Sequence, residues 1–264
     1  MYVFILLAVA VFGLLFGSFI SAYSYRLPRN IGISTGRSKC PTCKKGIPWY
    51  DNIPVFSYLR LSGKSRCCKK PISIRYPLIE LGTALLAVMF ALKVLECVSS
   101  ITPLCTDLHT LGLFSLLLFG LLIIILVTIF VIDFEHQLIP DNLVFALLPV
   151  VFLVALIEHE TLFSDLVAGF GAALFLLSLN FLTKGRGMGL GDVKLAIPLG
   201  MILGAINTFY WMNTSFVIGA VAGVILILVG KAHFGKHIPF GPFLILAFFL
   251  IYLFGFPVSL FPLV

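Results

Sequence analysis

Long apolar runs alternate with short polar breaks along most of the chain. The runs fall at about 1–22, 76–97, 111–132, 142–158, 164–183, 192–208, 213–231 and 239–257. Each is close to the ~20 residues a helix needs to cross hydrocarbon. Apolar residues are continuous within them and do not alternate, which argues against the strands of a barrel. Eight transmembrane helices are therefore expected. Pro198 and Gly200 interrupt the sixth run and make it the least regular. No internal repeat and no low-complexity tract stands out. One long polar stretch separates the first run from the others. The chain thus reads as a first span at 1–22, a loop domain at 23–75 and a seven-helix membrane domain at 76–264.

Composition fits an all-α integral membrane protein. Of 264 residues, 60% are hydrophobic and only 11% charged, with a mean hydropathy of +1.13. Soluble domains do not carry that balance. The first run has no Lys or Arg before it, while Arg26 and Arg29 follow it. A cleavable signal peptide places its positive charge first, so an uncleaved anchor with its N-terminus outside is expected. Twelve of the 18 Lys and Arg lie between Arg26 and Arg75. With eight spans, Lys184, Arg186, Lys194, Lys231 and Lys236 share that side, and Lys93 alone lies near the other face. The positive-inside rule then puts the 23–75 loop in the cytosol. The net charge of +7 reflects this orientation and contact with the lipid bilayer, with no nucleic acid required.

The loop carries a cysteine pattern. Cys40 and Cys43 form a C-x-x-C knuckle, and Cys67 and Cys68 follow after 23 intervening residues. Two close pairs at that separation suit a tetrahedral thiolate zinc site, which a reducing cytosol favours over disulfides. The loop is also too small to fold on its own core, so a metal staple would help it. Ser65 stands where the first thiol of a second C-x-x-C pair would be, which leaves structural or vestigial cysteines as the competing reading. Cys97 and Cys105 fall on the outer side, as a bridge or as two unrelated thiols.

Only eleven acids exist. The topology puts Glu96, Asp107, Glu158, Glu160 and Asp165 outside, Asp51 in the loop and Glu80 in the second span. Asp133, Glu135, Asp141 and Asp192 remain at the inner edge. Asp141 follows Pro140 and is expected to cap the next helix; Glu135 is expected to be solvated. Asp133 and Asp192 are left, at membrane depth and at opposite helix ends. Two carboxylates that meet can share one proton, one acting as base on a water and the other as acid, as in an aspartic peptidase. Asp192 closes the stretch GMGLGD, whose Gly187, Gly189 and Gly191 would let the backbone run unwound beside the acid and admit an extended substrate strand. The plainer reading is a glycine-rich turn whose aspartate caps the sixth helix. His136 reads as an interfacial polar residue, and Lys194 as steering a carboxylate or snorkelling.

The stretches FGSFISAYSYRLP, CPTC, DNIPVFSYLRLSGK, ISIRYPLIELGTALL, IDFEHQLIPD and GMGLGDVKL together resemble the type IV prepilin peptidases, membrane aspartic peptidases of the GxGD kind. The resemblance runs in order from about residue 13 to 195. It implies eight spans, an active site facing the cytosol of a bacterial inner membrane, and catalytic roles for Asp133 and Asp192 with Gly189 and Gly191 as active-site backbone. It implies prepilin and pseudopilin substrates, cleaved after a glycine. It also implies N-methylation of the new N-terminus with S-adenosylmethionine, associated with the cysteine loop, where Gly63 matches a family glycine. Ser65 departs from a family cysteine, and Cys67 is the candidate to replace it beside Cys40, Cys43 and Cys68. The competing functions are an ion-coupled transporter, whose relay would need acids at several depths, and a non-catalytic scaffold of a pilus or secretion assembly.

Overall fold

The structure is a computed structural model that describes residues 2–29, 31–32, 38–40, 42–99, 112–158, 162–185, 187–230 and 239–255. The described elements are helical: α1 (Tyr2–Arg26), the short α2 (Phe56–Arg60), α3 (Arg75–Ser99), α4 (Gly112–His136), α5 (Asp141–Glu158), α6 (Leu162–Leu182), α7 (Leu190–Leu228) and α8 (Gly241–Phe254). Among the described residues, extended pairing is confined to two isolated bridges in the loop, Lys39 with Gly46 and Lys64 with Pro71. Cys105 and the side chain of Cys97 lie outside the described residues, as do Arg186, Lys231 and Lys236.

Five helices, α1, α3, α4, α6 and α7, contain stretches long and apolar enough to cross a membrane; α5 and α8 are shorter apolar helices. At 39 residues, α7 holds two of the expected spans, because Gly204 breaks it at φ 69, ψ 176. Only glycine adopts that backbone readily. The sequence pointed to Pro198 and Gly200 as the interruption; the break comes later. Pro198 is buried inside continuous helix. Gly200 serves a close approach: a Cβ there would lie 2.8 Å from the Gly169 Cα of α6. Across the break, the Thr208 hydroxyl donates to the Gly200 carbonyl at 3.1 Å and ties the two arms together. Among the described residues, with the two arms of α7 counted separately and the short α2 of the loop left out, the apolar helices number eight, as expected.

The chain divides into two compact units, Met1–Thr106 and Asp107–Val264. In the first, α1 packs on α3. Two glycines allow their backbones to touch, since a Cβ on Gly13 or Gly17 would lie 2.6 Å from the Cα of Ala84 or Glu80. Much of the rest of α1 exposes large apolar side chains such as Phe4, Leu7 and Phe12, as a lipid-facing helix does. The loop between α1 and α3 carries Cys40, Cys43, Cys67 and Cys68. In the second unit α6 packs along α7, α7 meets α5 and α8, and α4 meets α5 and α8. Leu126, Ile129, Leu147, Leu199, Trp211 and Leu244 fill its core. The Trp211 indole N–H donates to the Leu244 carbonyl at 2.8 Å, so that buried polar atom is satisfied.

Candidate active site and metal centre

Asp133 lies one turn before the end of α4. The helix stops because Gln137 takes a left-handed conformation, φ 55, and its N–H closes on the Asp133 carbonyl at 2.8 Å. Pro140 then forbids continuation and α5 starts at Asp141. Asp192 sits in the first turn of α7. Its Oδ2 accepts the Gly189 N–H at 3.1 Å, closing a capping interaction. The capping of the plainer reading of Asp192 is therefore present, but the same carboxylate also lines a cavity with Asp133.

Asp133 and Asp192 are 4% and 6% exposed. Both line one cavity of about 290 Å³, with Gln137, Gly189, Gly191 and Phe240 among its walls. That volume holds roughly ten waters at liquid density. No cation pairs with either acid among the described residues. Asp133 Oδ2 is buried and accepts no hydrogen bond, while the Gly241 N–H of α8 bonds to the same carboxylate.

Glycine is needed where side chains would fill this space. Gly189 is extended, at φ −80 and ψ 148. A Cβ on Gly191 would come 3.0 Å from Ile139 Cβ, and one on Gly241 would collide with Asp133 Oδ2. The turn before α7 is tied down independently: Asn180 Nδ2 donates to the Met188 carbonyl at 2.6 Å, and the Gly187 N–H to Thr183 Oγ1 at 3.1 Å. Asp141 opens α5, and its side chain pairs with Lys194 at 2.8 Å, both about half exposed. Lys194 thus answers Asp141 and not the buried acids. Gly241, Ile139 and Gln137 were not foreseen as parts of this site.

The four thiols of Cys40, Cys43, Cys67 and Cys68 converge, with all sulfurs within 4.8 Å of one another. Zinc bound at about 2.3 Å sets tetrahedral sulfurs about 3.8 Å apart. Cys40 and Cys68 stand at 3.8 Å, and Cys43 and Cys67 at 2.8 Å, a spacing that has to open by about 1 Å around an ion. The Cys43 backbone N–H lowers the Cys40 thiol to about 6, and the Cys67 thiol raises Cys43 to about 11. Four thiols this close cannot all ionise without a cation between them; a metal supplies it. The donor set therefore fits a metal ion.

Two turns build the group on one pattern. Lys44 N–H donates to the Cys40 carbonyl and Cys40 N–H to the Lys45 carbonyl, both at 2.9 Å. The same bonds recur at 2.8 Å from Lys69 to Ser65 and from Ser65 to Lys70. Lys44 and Lys69 both take positive φ. The turns are offset by 25 residues, so Ser65 holds the place of Cys40 and Cys68 that of Cys43. Cys67 enters the group from a position with no thiol in the first turn, where Thr42 stands. The twin Cys-Lys-Lys triplets at 43–45 and 68–70 were the available signal of this short repeat.

Around the turns, Arg60 and Arg66 hold Asp51 at 2.6 and 2.8 Å, and the Arg66 guanidinium first among them keeps its carboxyl below the usual range. Gly63 has φ 67, and a Cβ there would come 3.1 Å from the Tyr58 hydroxyl. It belongs to the turn that its N–H closes on the Tyr58 carbonyl at 2.9 Å. Tyr58 in turn lines a second cavity of about 1130 Å³, walled by Ser18, Asp51, Asn52, Val55 and Glu80 among others.

Residues 11–94 match the Bacterial Peptidase A24 N-terminal domain, and residues 120–228 the Type IV leader peptidase family. One match falls in each compact unit. Similar proteins include a prepilin leader peptidase/N-methyltransferase of Pseudomonas aeruginosa, 34% identical over 92% of this chain and 88% of the relative. Proteins of the same description from Vibrio cholerae, 31% identical over 95% and 97%, and Bacillus subtilis, 32% identical over 93% and 92%, are also similar. No solved structure matches. Apolar helices, a pair of buried acids and these relatives agree: this multi-pass membrane protein belongs to the type IV leader peptidase family.

Proposed function

We propose that this chain is a membrane aspartic endopeptidase that removes the leader of type IV prepilins and pseudopilins, and an N-methyltransferase that modifies the exposed N-terminus. One observation supports the peptidase roles above all others. Asp133 and Asp192 come from opposite helix ends onto one small polar cavity, with no cation paired to them among the described residues. The pair holds one proton. Its ionised carboxylate takes a proton from a water, whose oxygen attacks the scissile carbonyl carbon. The protonated partner first donates to the carbonyl oxygen; a proton then passes to the departing amide nitrogen as the C–N bond breaks. Extended backbone at Gly189 offers its edge to an extended substrate, and the missing side chains at Gly191 and Gly241 leave room for it. The excess of Lys and Arg in the 23–75 loop supports a site that faces the cytosol, with the N-terminus outside.

Cys40, Cys43, Cys67 and Cys68 would hold a zinc ion, whose role is to cross-link the loop. The 1130 Å³ cavity, walled by polar groups of Asn52, Tyr58 and Ser18, has room for S-adenosylmethionine, which supplies an electrophilic methyl group when bound. Gly63 acts on it through the turn that positions Tyr58. The transport and scaffold alternatives draw no support from the relatives. The deciding experiment incubates the purified protein with a prepilin and S-adenosylmethionine in detergent and weighs the product. A shortened chain 14 Da heavier than the bare cleavage product supports both activities; an intact prepilin overturns the peptidase reading.

A further inference from the structure

Glu80 lies in the apolar run of α3 yet is only 6% exposed. An ionisable residue inside a span needs a partner. Its Oε2 accepts the Val55 N–H at 2.7 Å, and the Ser18 hydroxyl also bonds to it. Neither partner carries charge, and no Lys or Arg pairs with Glu80 among the described residues. The contrast with Asp51 is sharp. Both carboxylates line the same 1130 Å³ cavity, but two arginines neutralise Asp51.

The fold also stores strain at this spot. Val55, β-branched, sits at φ 58 and ψ −48. That conformation costs on the order of 1–3 kcal/mol and persists only where surroundings impose it. It aims the Val55 amide at Glu80. On the other side Gly17 lets α1 touch the Glu80 backbone, so the carboxylate is held from both directions. Of the basic side chains that line the cavity, Lys39, Lys44, Lys45 and Lys70 belong to the two thiol turns and Arg66 is held by Asp51; Arg26 ends α1, and Arg75, five residues before Glu80 on α3, donates to the Ser21 carbonyl at 3.0 Å and to Ser24 Oγ at 2.7 Å.

We propose that the Glu80 carboxylate is the binding site for the α-ammonium group of the peptide that accepts the methyl group. This rests on the methyltransferase reading. A rigid, buried carboxylate that pairs with no cation among the described residues, set in the wall of a cavity large enough for two ligands, is built for a cationic ligand. An N-terminal amine presents one. Glu80 then fixes the position of the nitrogen that is to be methylated.

The test needs no methyl donor. The purified full-length protein is titrated with a fluorescent peptide bearing an apolar, free N-terminus, and with the same peptide N-acetylated. Wild type should bind the free amine about tenfold or more tightly, the range for a hydrogen bond to a charged group. Glu80→Gln should erase that preference, because its amide oxygen still accepts the Val55 N–H but carries no charge. Its thiol-bound metal content and leader cleavage should stay at wild-type levels. Equal binding of both peptides by wild type, which needs no variant to fold, would overturn the proposal, as would a preference that survives Glu80→Gln. A separate titration with S-adenosylmethionine distinguishes the other cation source: if Glu80→Gln weakens that ligand and leaves the peptide preference intact, the carboxylate faces the donor and the proposal fails. Absence of methyl transfer by wild type would remove the methyltransferase reading while leaving the peptide titration to stand or fall alone.

Discussion

The two units treat their acidic groups in opposite ways. In the first, Asp51 is gripped by Arg60 and Arg66 before any ligand arrives, and four sulfurs gather the loop around one point. In the second, Asp133 and Asp192 are buried, paired with no cation among the described residues, and positioned by helix ends and by absent side chains. A neutralised carboxylate makes structure; two that share one cavity without a paired cation can share a proton. The comparison predicts that damage to one unit's polar centre should leave the other's chemistry standing.

The largest effect should come from the acids of the second unit. Asp133→Asn or Asp192→Asn is expected to lower leader cleavage by about 10³-fold or more, since general acid–base catalysis contributes about 10²–10⁴. Metal content and thermal melting should be unchanged, because an amide fills the same volume as the carboxylate and its oxygen, in Asp192→Asn, can still accept the Gly189 N–H. Cleavage assayed by mass spectrometry at matched protein levels checks this; wild-type-like turnover in either variant would break the dyad.

Gly241→Ala should come next. Its Cβ collides with Asp133 Oδ2 and crowds Ile139 Cδ1 at 3.1 Å. The carboxylate or the start of α8 must give way, and a misplacement of about 1 Å is enough for roughly a 10²-fold loss. Methyl transfer to an already cleaved peptide should persist. Loss of both activities together would mean that the units are not chemically separate.

Metal removal addresses the first unit. Chelation, or Cys40→Ser, should empty the site in elemental analysis and lower the melting midpoint of that unit by about 5 °C or more, as a lost metal cross-link of ~1 kcal/mol or greater would. Methyl transfer should fall with it. Leader cleavage should change far less, and an equal fall would refute the separation.

These expectations trace back unevenly to the sequence. The apolar lengths settled the class, and elimination among eleven acids isolated Asp133 and Asp192 because so few sit at the inner edge. Gly241 was invisible, since a glycine before Pro242 reads as an ordinary helix start and its closeness to Asp133 is a tertiary fact. Gly204 was hidden behind Pro198: composition flags the residue that lacks an N–H, while the break followed the position whose φ and ψ only glycine tolerates. Glu80 carried a usable signal, an acid in an apolar run, and passed as a mere part of the second span.

The smallest effect sharpens the comparison inside the first unit, between its two turns. They share backbone bonds at an offset of 25 residues, yet the second has Ser65 where the first has Cys40. If backbone register alone set the ligands, a serine oxygen would sit in the fourth place. Instead Cys67 supplies a sulfur from two residues on, and Ser65 Oγ lies 3.1 Å from that sulfur and 3.6 Å from Cys40 Sγ. Zinc prefers thiolate to a neutral hydroxyl. Cys67→Ser should therefore weaken metal retention, measured by competition with a chromophoric chelator. Ser65→Ala should leave the metal in place and change retention only slightly, because a hydroxyl hydrogen bond to a coordinating sulfur is an outer contact, typically worth about tenfold or more in affinity only when it orients the ligand. The double variant Ser65→Cys with Cys67→Ser restores the register of the first turn. It should recover the retention lost in Cys67→Ser and give the tetrathiolate spectrum with cobalt in place of zinc. Failure to recover would mean that the second turn, despite its matching hydrogen bonds, no longer presents position 65 to the ion, and that the chain is committed to Cys67.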